Sequence, residues 1–354
     1  MNVFSSKCFS DNRKPVLSFA EGSAIQKPKW AGLLAFVVAL TVWGARAEAQ
    51  QAKKVYRVGH LSGSGEAASK PFVDAFREGM RARGYVEGQN LILDQQYADG
   101  KVGRLPELAR ELIQRNPDVL LVATTPGNLA AKAATATIPI VMVLVADPIG
   151  AGIVLSLARP GGNITGITNI VAELAGKRLE ILKEVVPTAS RIAVLVNPNS
   201  QNAPLQMRSA EAAAHLLGVE LRPVLEVRSP PDLEKAFEAV VRARAAAALR
   251  MIDPLVFMLR KETAALAAKH RLPVIYPTSE DVEAGGLIAY GTNIPEQFRQ
   301  AATFVDKILK GRKPTELPVE QPTKFELVIN LKTAKQIGLT IPPNVLARAD
   351  RVIK

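Results

Sequence analysis

Small polar clusters follow several β-branched runs of this 354-residue chain, and their side chains are suited to holding a ligand. Ser62-Gly63-Ser64-Gly65 offers hydroxyls and backbone N–H groups. Thr124-Thr125-Pro126-Gly127 stands just before a helical pattern, where N–H groups and the helix dipole favour an anion such as a carboxylate. Asp147-Pro148, Asn197-Pro198-Asn199, Asp253-Pro254 and Tyr276-Pro277-Thr278-Ser279-Glu280 add carboxylates, amides and a tyrosine. Together they suit a small amphipathic ligand held by directional hydrogen bonds. The Asp-Pro and Asn-Pro pairs are also good helix N-caps with proline at the first helical position, so capping and ligand contact both stand for each. Tyr290 and Phe257 read as packing residues before stacking ones.

Catalytic constellations are missing from the sequence. It contains no G-x-S-x-G elbow, Walker A loop, H-E-x-x-H helix or G-x-G-x-x-G turn. His60, His215 and His270 have no ligand-like spacing, although His60 falls at a strand end near the expected cleft. The single cysteine, Cys8, precedes the folded part, which excludes a disulfide framework, a thiol nucleophile and a cysteine metal site. Neither a metal nor a cofactor is expected. An exported hydrolase or isomerase using Asp147 or Asp253 as base is the weakest reading. A ligand-binding sensor that docks on a membrane receptor differs from a transport protein only in its partner.

The first fifty residues read differently from the rest. Lys27-Pro28-Lys29 precedes an apolar run from Ala31 to Trp43, too short for the roughly 20 residues a spanning helix needs. Small residues at Ala45-Arg46-Ala47 and Ala47-Glu48-Ala49 each fit a signal-peptidase site, so residues 1–49 are expected to be a secretory leader. The formal charge of +12 is scattered among acids on helix faces, without a basic stripe interleaved with aromatics. Nucleic acid is therefore not an expected partner.

Positioning the polar clusters falls to alternating strands and helices. Strand patterns at Val55–Leu61, Leu91–Gln96, Val119–Ala123 and Ile140–Val145 are separated by helical patterns at Pro71–Arg83, Arg104–Arg115 and Asn128–Ala134. A second series runs from Ile192 to Tyr276, with helices expected over 205–217, 232–244 and 255–269. This alternation predicts parallel βαβ units. The steps AAKAATATIPIV (130–141) and AAKHRLPVI (267–275) repeat a helix end, a turn and a proline leading into a strand, which suggests two similar open sheets. Further elements at 287–291, 295–309 and 325–330 must add to sheets already made. The chain is thus expected to cross between lobes near 166–170, 283–286 and 317–322. The lobes would comprise 50–168 plus 285–317, and 169–284 plus 318–354. Ligands of open α/β sheets bind beyond the carboxyl ends of the strands, where the polar clusters lie.

GYVEGQNL (84–91), DPIGAGIVLSLARPGGNITG (147–166), VEAGGLIAYG (282–291) and PVEQPTKFELVINLKTAKQIGLTIPP (318–343) resemble the ABC transporter substrate-binding family of the tryptophan/tyrosine uptake type. The resemblance covers residues 55–354. It implies an α/β fold of two Rossmann-like lobes with parallel sheets joined by multiple crossovers, like the type I periplasmic binding proteins. It also implies no catalysis, a periplasmic location, a monomer, and a permease and ATPase as partners. Carried over by position, the implied ligand shell is Ser62, Ser64, Thr124, Thr125, Asp147, Asn197, Asp253, Tyr276, Tyr290 and Asn293. The implied ligand is an aromatic amino acid or a related small organic acid. Many relatives carry Gly-Thr-Pro where this chain has Thr124-Thr125-Pro126, and the added bulk falls on the cleft floor.

Overall fold

The alternation of β-branched runs and amphipathic helices closes into two sheets, in a computed structural model that describes residues 54–170 and 173–354. The leader expected over residues 1–49 lies outside the described residues. Among those described, no helix is long and apolar enough to cross a membrane.

In the first lobe β1 (Tyr56–Ser62), α1 (Glu66–Arg81), β2 (Leu91–Tyr97), α2 (Leu105–Gln114), β3 (Val119–Ala123), α3 (Thr125–Ala134), β4 (Ile140–Val145) and β5 (Ile164–Thr168) follow in order. The strands lie in the order β2-β1-β3-β4-β5, all parallel. The second lobe begins with α4 (Leu174–Val185), β6 (Arg191–Val196), α5 (Ala203–Leu217), β7 (Glu220–Glu226) and α6 (Asp232–Arg242). It continues with β8 (Ala247–Arg250), α7 (Pro254–Met258), α8 (Arg260–Lys269), β9 (Val274–Tyr276), α9 (Ser279–Glu283) and β10 (Ile288–Thr292). The chain then returns to the first lobe as α10 (Ile294–Leu309). It ends in the second with β11 (Phe325–Asn330), α11 (Leu331–Ile337), α12 (Pro343–Leu346) and β12 (Arg351–Ile353). The second sheet has the order β12-β11-β10-β9-β8-β6-β7, with only the β10–β11 pair antiparallel.

The inner strands β3, β4, β6, β8 and β9 are buried on both faces, which is why they are nearly continuous apolar runs, whereas the edge strands β2 and β7 keep exposed and half-buried positions. In the first lobe Phe72, Phe76 and Met80 of α1 pack with Phe298, Ala302 and Val305 of α10 on one face. Leu108 and Leu112 of α2 pack with Leu120 and Val122 on the other. Arg83 donates to the Thr303 hydroxyl at 2.5 Å and the Tyr85 hydroxyl to Asp306 at 3.0 Å, fixing α10 to the first lobe.

Four expectations are corrected by these contacts. The span 285–317 is not wholly first-lobe, because β10 is paired between β9 and β11, and the crossing expected near 283–286 falls at Asn293. The first helix starts at Glu66, with Pro71 inside it. Burial of Phe72 and Val73 in the core outweighs the one hydrogen bond that proline removes. The helix expected over 255–269 is two helices broken at Leu259, which lets Phe257 leave the second lobe. Strand β5 was hidden in a Thr- and Gly-rich stretch whose Gly166 has φ +133°; a Cβ there would lie 2.2 Å from the Met142 carbonyl oxygen.

Candidate ligand-binding cleft

Strands β1, β3, β4, β6 and β8 all deliver their carboxyl ends to one cavity of about 320 Å³, lined from both lobes. That volume is at the small end of the roughly 300–1,000 Å³ of ligand pockets, room for one small molecule. Ser62, Ser64, Thr124, Asn197 and Asp253 line it as expected from the sequence.

The first lobe contributes an apolar wall. Phe72 lies in the early turns of α1, immediately after the β1 loop, and Phe298 in the early turns of α10. Their ring centroids are 5.6 Å apart, and Phe257 of the second lobe approaches Phe72 to 5.9 Å. The Phe257 ring is buried with first-lobe residues, and the Arg260 guanidinium covers it at 4.6 Å. Nearby, the Ser62 hydroxyl is paired with that of Ser69 at 3.2 Å and accepts the Ser64 N–H at 3.2 Å. These bonds hold the β1 loop in shape.

Two lining residues are conformationally strained. Thr124 has φ +71° and Leu144 has φ +58°, a region that a β-branched or bulky side chain enters at real cost. Such strain is of order 1–3 kcal/mol per residue and gathers at ligand sites. The Thr124 hydroxyl has no hydrogen-bond partner, and neither does the buried side-chain oxygen of Asn169. Glycine would suit this backbone; threonine here is held against its preference.

The second lobe contributes amides and a carboxylate. Asp253, 6% exposed, accepts through Oδ1 from the Leu255 N–H (2.9 Å), the Val256 N–H (3.3 Å) and Asn197 Nδ2 (3.1 Å). It therefore caps α7 and lines the cleft at once. Asn199 and Asn202 line the same side, and Arg228 stands at the rim with Nη2 on Glu226 at 2.7 Å.

The other sequence-selected residues lie elsewhere. Thr125 is buried behind the wall, its hydroxyl donating at 3.5 Å to Asn202 Oδ1 across the lobes. Asp147 is exposed and closes a turn by accepting the Gly150 N–H at 2.7 Å. Tyr276 is fully buried in the second core, with the Arg250 guanidinium 5.5 Å from its ring centre. Burial pushes its hydroxyl well above the usual tyrosine range. Tyr290 packs against Phe325, and Asn293 caps α10 through the Glu296 N–H at 2.8 Å. His60 is also away from the cavity, donating through Nδ1 to the Leu121 carbonyl at 3.1 Å. Burial holds its pKa down at about 4. Among the described residues, no group of three or more His, Cys, Asp or Glu side chains could hold a metal ion.

Sequence reasoning missed Phe72 and Phe298 as cleft residues because helical periodicity marks them only as apolar. Their places in the early turns of helices that begin at the cleft were the available signal.

Comparison with known proteins fits this geometry. The sequence pattern of the ABC transporter substrate binding protein family matches residues 64–353. A tyrosine-binding protein of Clostridioides difficile is 26% identical over 276 residues, 77% of each chain. The crystal structure of a conserved domain protein from Vibrio cholerae superposes with a TM-score of 0.78 at 32% identity, covering 84% of this chain and 100% of that one. An ABC domain from Streptococcus pneumoniae in complex with L-tryptophan gives a TM-score of 0.77 at 24% identity, covering 85% and 100%.

Proposed function

The chain belongs to the ABC transporter substrate-binding protein family, and on that premise we propose that it captures a small molecule in the inter-lobe cleft and delivers it to a membrane permease powered by a cytoplasmic ATPase. Proteins of this family bind solutes and are not enzymes. The observation that carries the reading is the cavity at the strand ends of both lobes, lined from each by groups of complementary chemistry. A ligand that touches both walls binds the closed arrangement better than an open one, and that difference drives closure. Rotation would be absorbed at the three crossings, where the chain leaves β5 after Thr168, at Asn293 and over 321–324, while the lobes stay rigid.

The three-phenylalanine wall supports an aromatic amino acid or a related small organic acid as ligand. The tyrosine-binding and L-tryptophan-bound relatives support the same class. Substrate-binding proteins of ABC importers work outside the inner membrane. We place this one in the periplasm, as a monomer, after leader removal near Ala47 or Ala49.

The test is a thermal-shift titration of the mature protein with L-tyrosine and L-tryptophan. The melting temperature should rise with the logarithm of ligand concentration. Folded protein unmoved by these and by a wider set of aromatic acids and amines would remove the reading.

A further inference from the structure

We infer that α7 is a latch between the lobes, with Met258 as its positioning residue: it seats on a glycine platform of the first lobe, beside the ligand cavity, and so favours closure of the cleft. This rests on the cleft being the ligand site, and it adds a source of closure that the ligand does not supply.

The side chains of α7 divide between the lobes. Val256 is buried in a second-lobe core, with Leu259 beside it and Leu255 packed against it. Pro254, Phe257 and Met258 fall at i, i+3 and i+4, on one face of the helix, and turn to the first lobe. Phe257 is buried with first-lobe residues, while Pro254, Leu255 and Met258 meet three glycines there. A Cβ on Gly63 would lie 3.5 Å from Pro254 Cγ, and one on Gly65 3.7 Å from Met258 Cε. On Gly100 it would lie 3.4 Å from Met258 Sδ and 3.6 Å from Leu255 Cδ1. A methyl group would just touch α7 at each place, and any larger side chain would occupy the seat.

Both partners in this contact are held in shape. The two glycine loops are tied together: the Gly100 N–H donates to the Gly63 carbonyl at 2.9 Å and the Ala98 N–H to the Ser62 carbonyl at 3.0 Å. Gly100 has φ +75°, which glycine adopts at no steric cost. On the other side Asp253 caps α7, and Arg260 Nη1 donates to the Phe257 carbonyl at 3.1 Å. The break at Leu259 lets α7 leave the direction of α8 and reach across. Apolar surface shared by the lobes is returned to water when they part, so this seat stabilises the closed arrangement over the open one. Apparent ligand affinity scales with the fraction of protein in the binding-competent arrangement. Neither Met258 nor Gly65 lines the cavity, so both act on affinity through closure.

Two substitutions attack the seat from opposite lobes. Met258→Ala removes the knob, and Gly65→Leu fills the hole. Gly65 has φ −83°, open to any residue, and the atom nearest its Cβ position is an oxygen of the exposed Asp99 carboxylate, which can swing aside. Small-angle scattering of the ligand-free proteins reads closure, calorimetric titration with L-tyrosine reads affinity, and a melting curve checks that each variant is folded. We expect both variants to have a larger radius of gyration than wild type and to bind L-tyrosine about tenfold more weakly. Side chains that only stabilise their own lobe would lower the melting temperature and leave the radius of gyration and the affinity of the folded protein unchanged. That result in both variants overturns the inference with the cleft reading intact. Failure of L-tyrosine and L-tryptophan to bind folded wild type would remove the aromatic cleft, and the radius of gyration would still decide the latch.

Discussion

The two lobes share a fold and divide the labour. The first presents a hydrocarbon wall, hydroxyls and two strained backbones to the cleft; the second presents amides and the carboxylate. Their interiors differ in the same sense. The first core holds one neutral, fully buried histidine, His60. The second holds Arg178, Arg250 and Asp281 fully buried, with Glu280 almost so. Arg250 Nη2 donates to Asp281 Oδ2, which also accepts the Thr278 hydroxyl at 2.8 Å. Burial, and then the nearby Arg250 charge, pushes the Arg178 guanidinium down to about 9. The first lobe thus brings apolar surface to the cleft and the second brings charge, and the buried Arg250–Asp281 pair ties the end of β8 to α9.

The strongest way to break this contrast is Asp281→Ala. It leaves Arg250 buried without its carboxylate and should cost about 3–5 kcal/mol in urea denaturation. A loss under about 1 kcal/mol would mean that the ionic interior contributes little to second-lobe stability. Next is Phe257→Ala, which removes the one second-lobe ring packed in the first core. About 3 kcal/mol of packing is at stake, shared between folding and closure. Small-angle scattering of the ligand-free variant should show a larger radius of gyration than wild type; an unchanged value would show that this ring does not hold the lobes together.

The acid–base contrast is testable by pH. Burial raises the Glu280 pKa from 4.5 to about 7, so the native state binds the proton more tightly than the unfolded chain. The stability it lends is complete below pH 4.5 and lost as pH rises through about 7. Glu280→Gln should therefore stabilise the protein at pH 8 by roughly 1–3 kcal/mol, with the gain vanishing towards pH 4.5. His60 works in reverse, its contribution lost as pH falls from 6.5 towards about 4. A Glu280→Gln gain that is flat with pH would place the carboxylate in water. The smallest expected effect is at Thr124. Relief of roughly 1–3 kcal/mol of strain exceeds the roughly 0.4–1 kcal/mol that glycine costs through the unfolded chain, so Thr124→Gly should raise stability by about 1 kcal/mol. Ligand affinity should fall several-fold in the same variant, and a variant both more stable and equally tight would show that the hydroxyl is idle.

Much of this was legible residue by residue. The apolar runs gave β1, β3, β4, β6 and β8 to within a residue or two, because buried parallel strands must be continuously apolar. Ser62, Ser64, Thr124, Asn197 and Asp253, selected from the topological rule and from the family resemblance, all line the cavity, since each follows or ends a strand whose carboxyl end faces it. Tyr276 obeys the same rule by position and escapes it by direction: it ends β9, yet its ring turns into the core beneath Arg250. Asp147 fails because a local Gly150 N–H captures its carboxylate.

By itself the sequence determined the class of fold, the alternation of elements and the polar chemistry at the strand ends, because these follow from local periodicity and side-chain type. Tertiary structure alone decided that β10 joins the second sheet while α10 packs on the first. It also carried Phe257 across the cleft to Phe72 and left Asp253 Oδ2 free after Oδ1 had capped a helix. Those outcomes depend on pairing and packing between residues far apart in the chain, and no local pattern encodes which of two acceptable partners a side chain will meet.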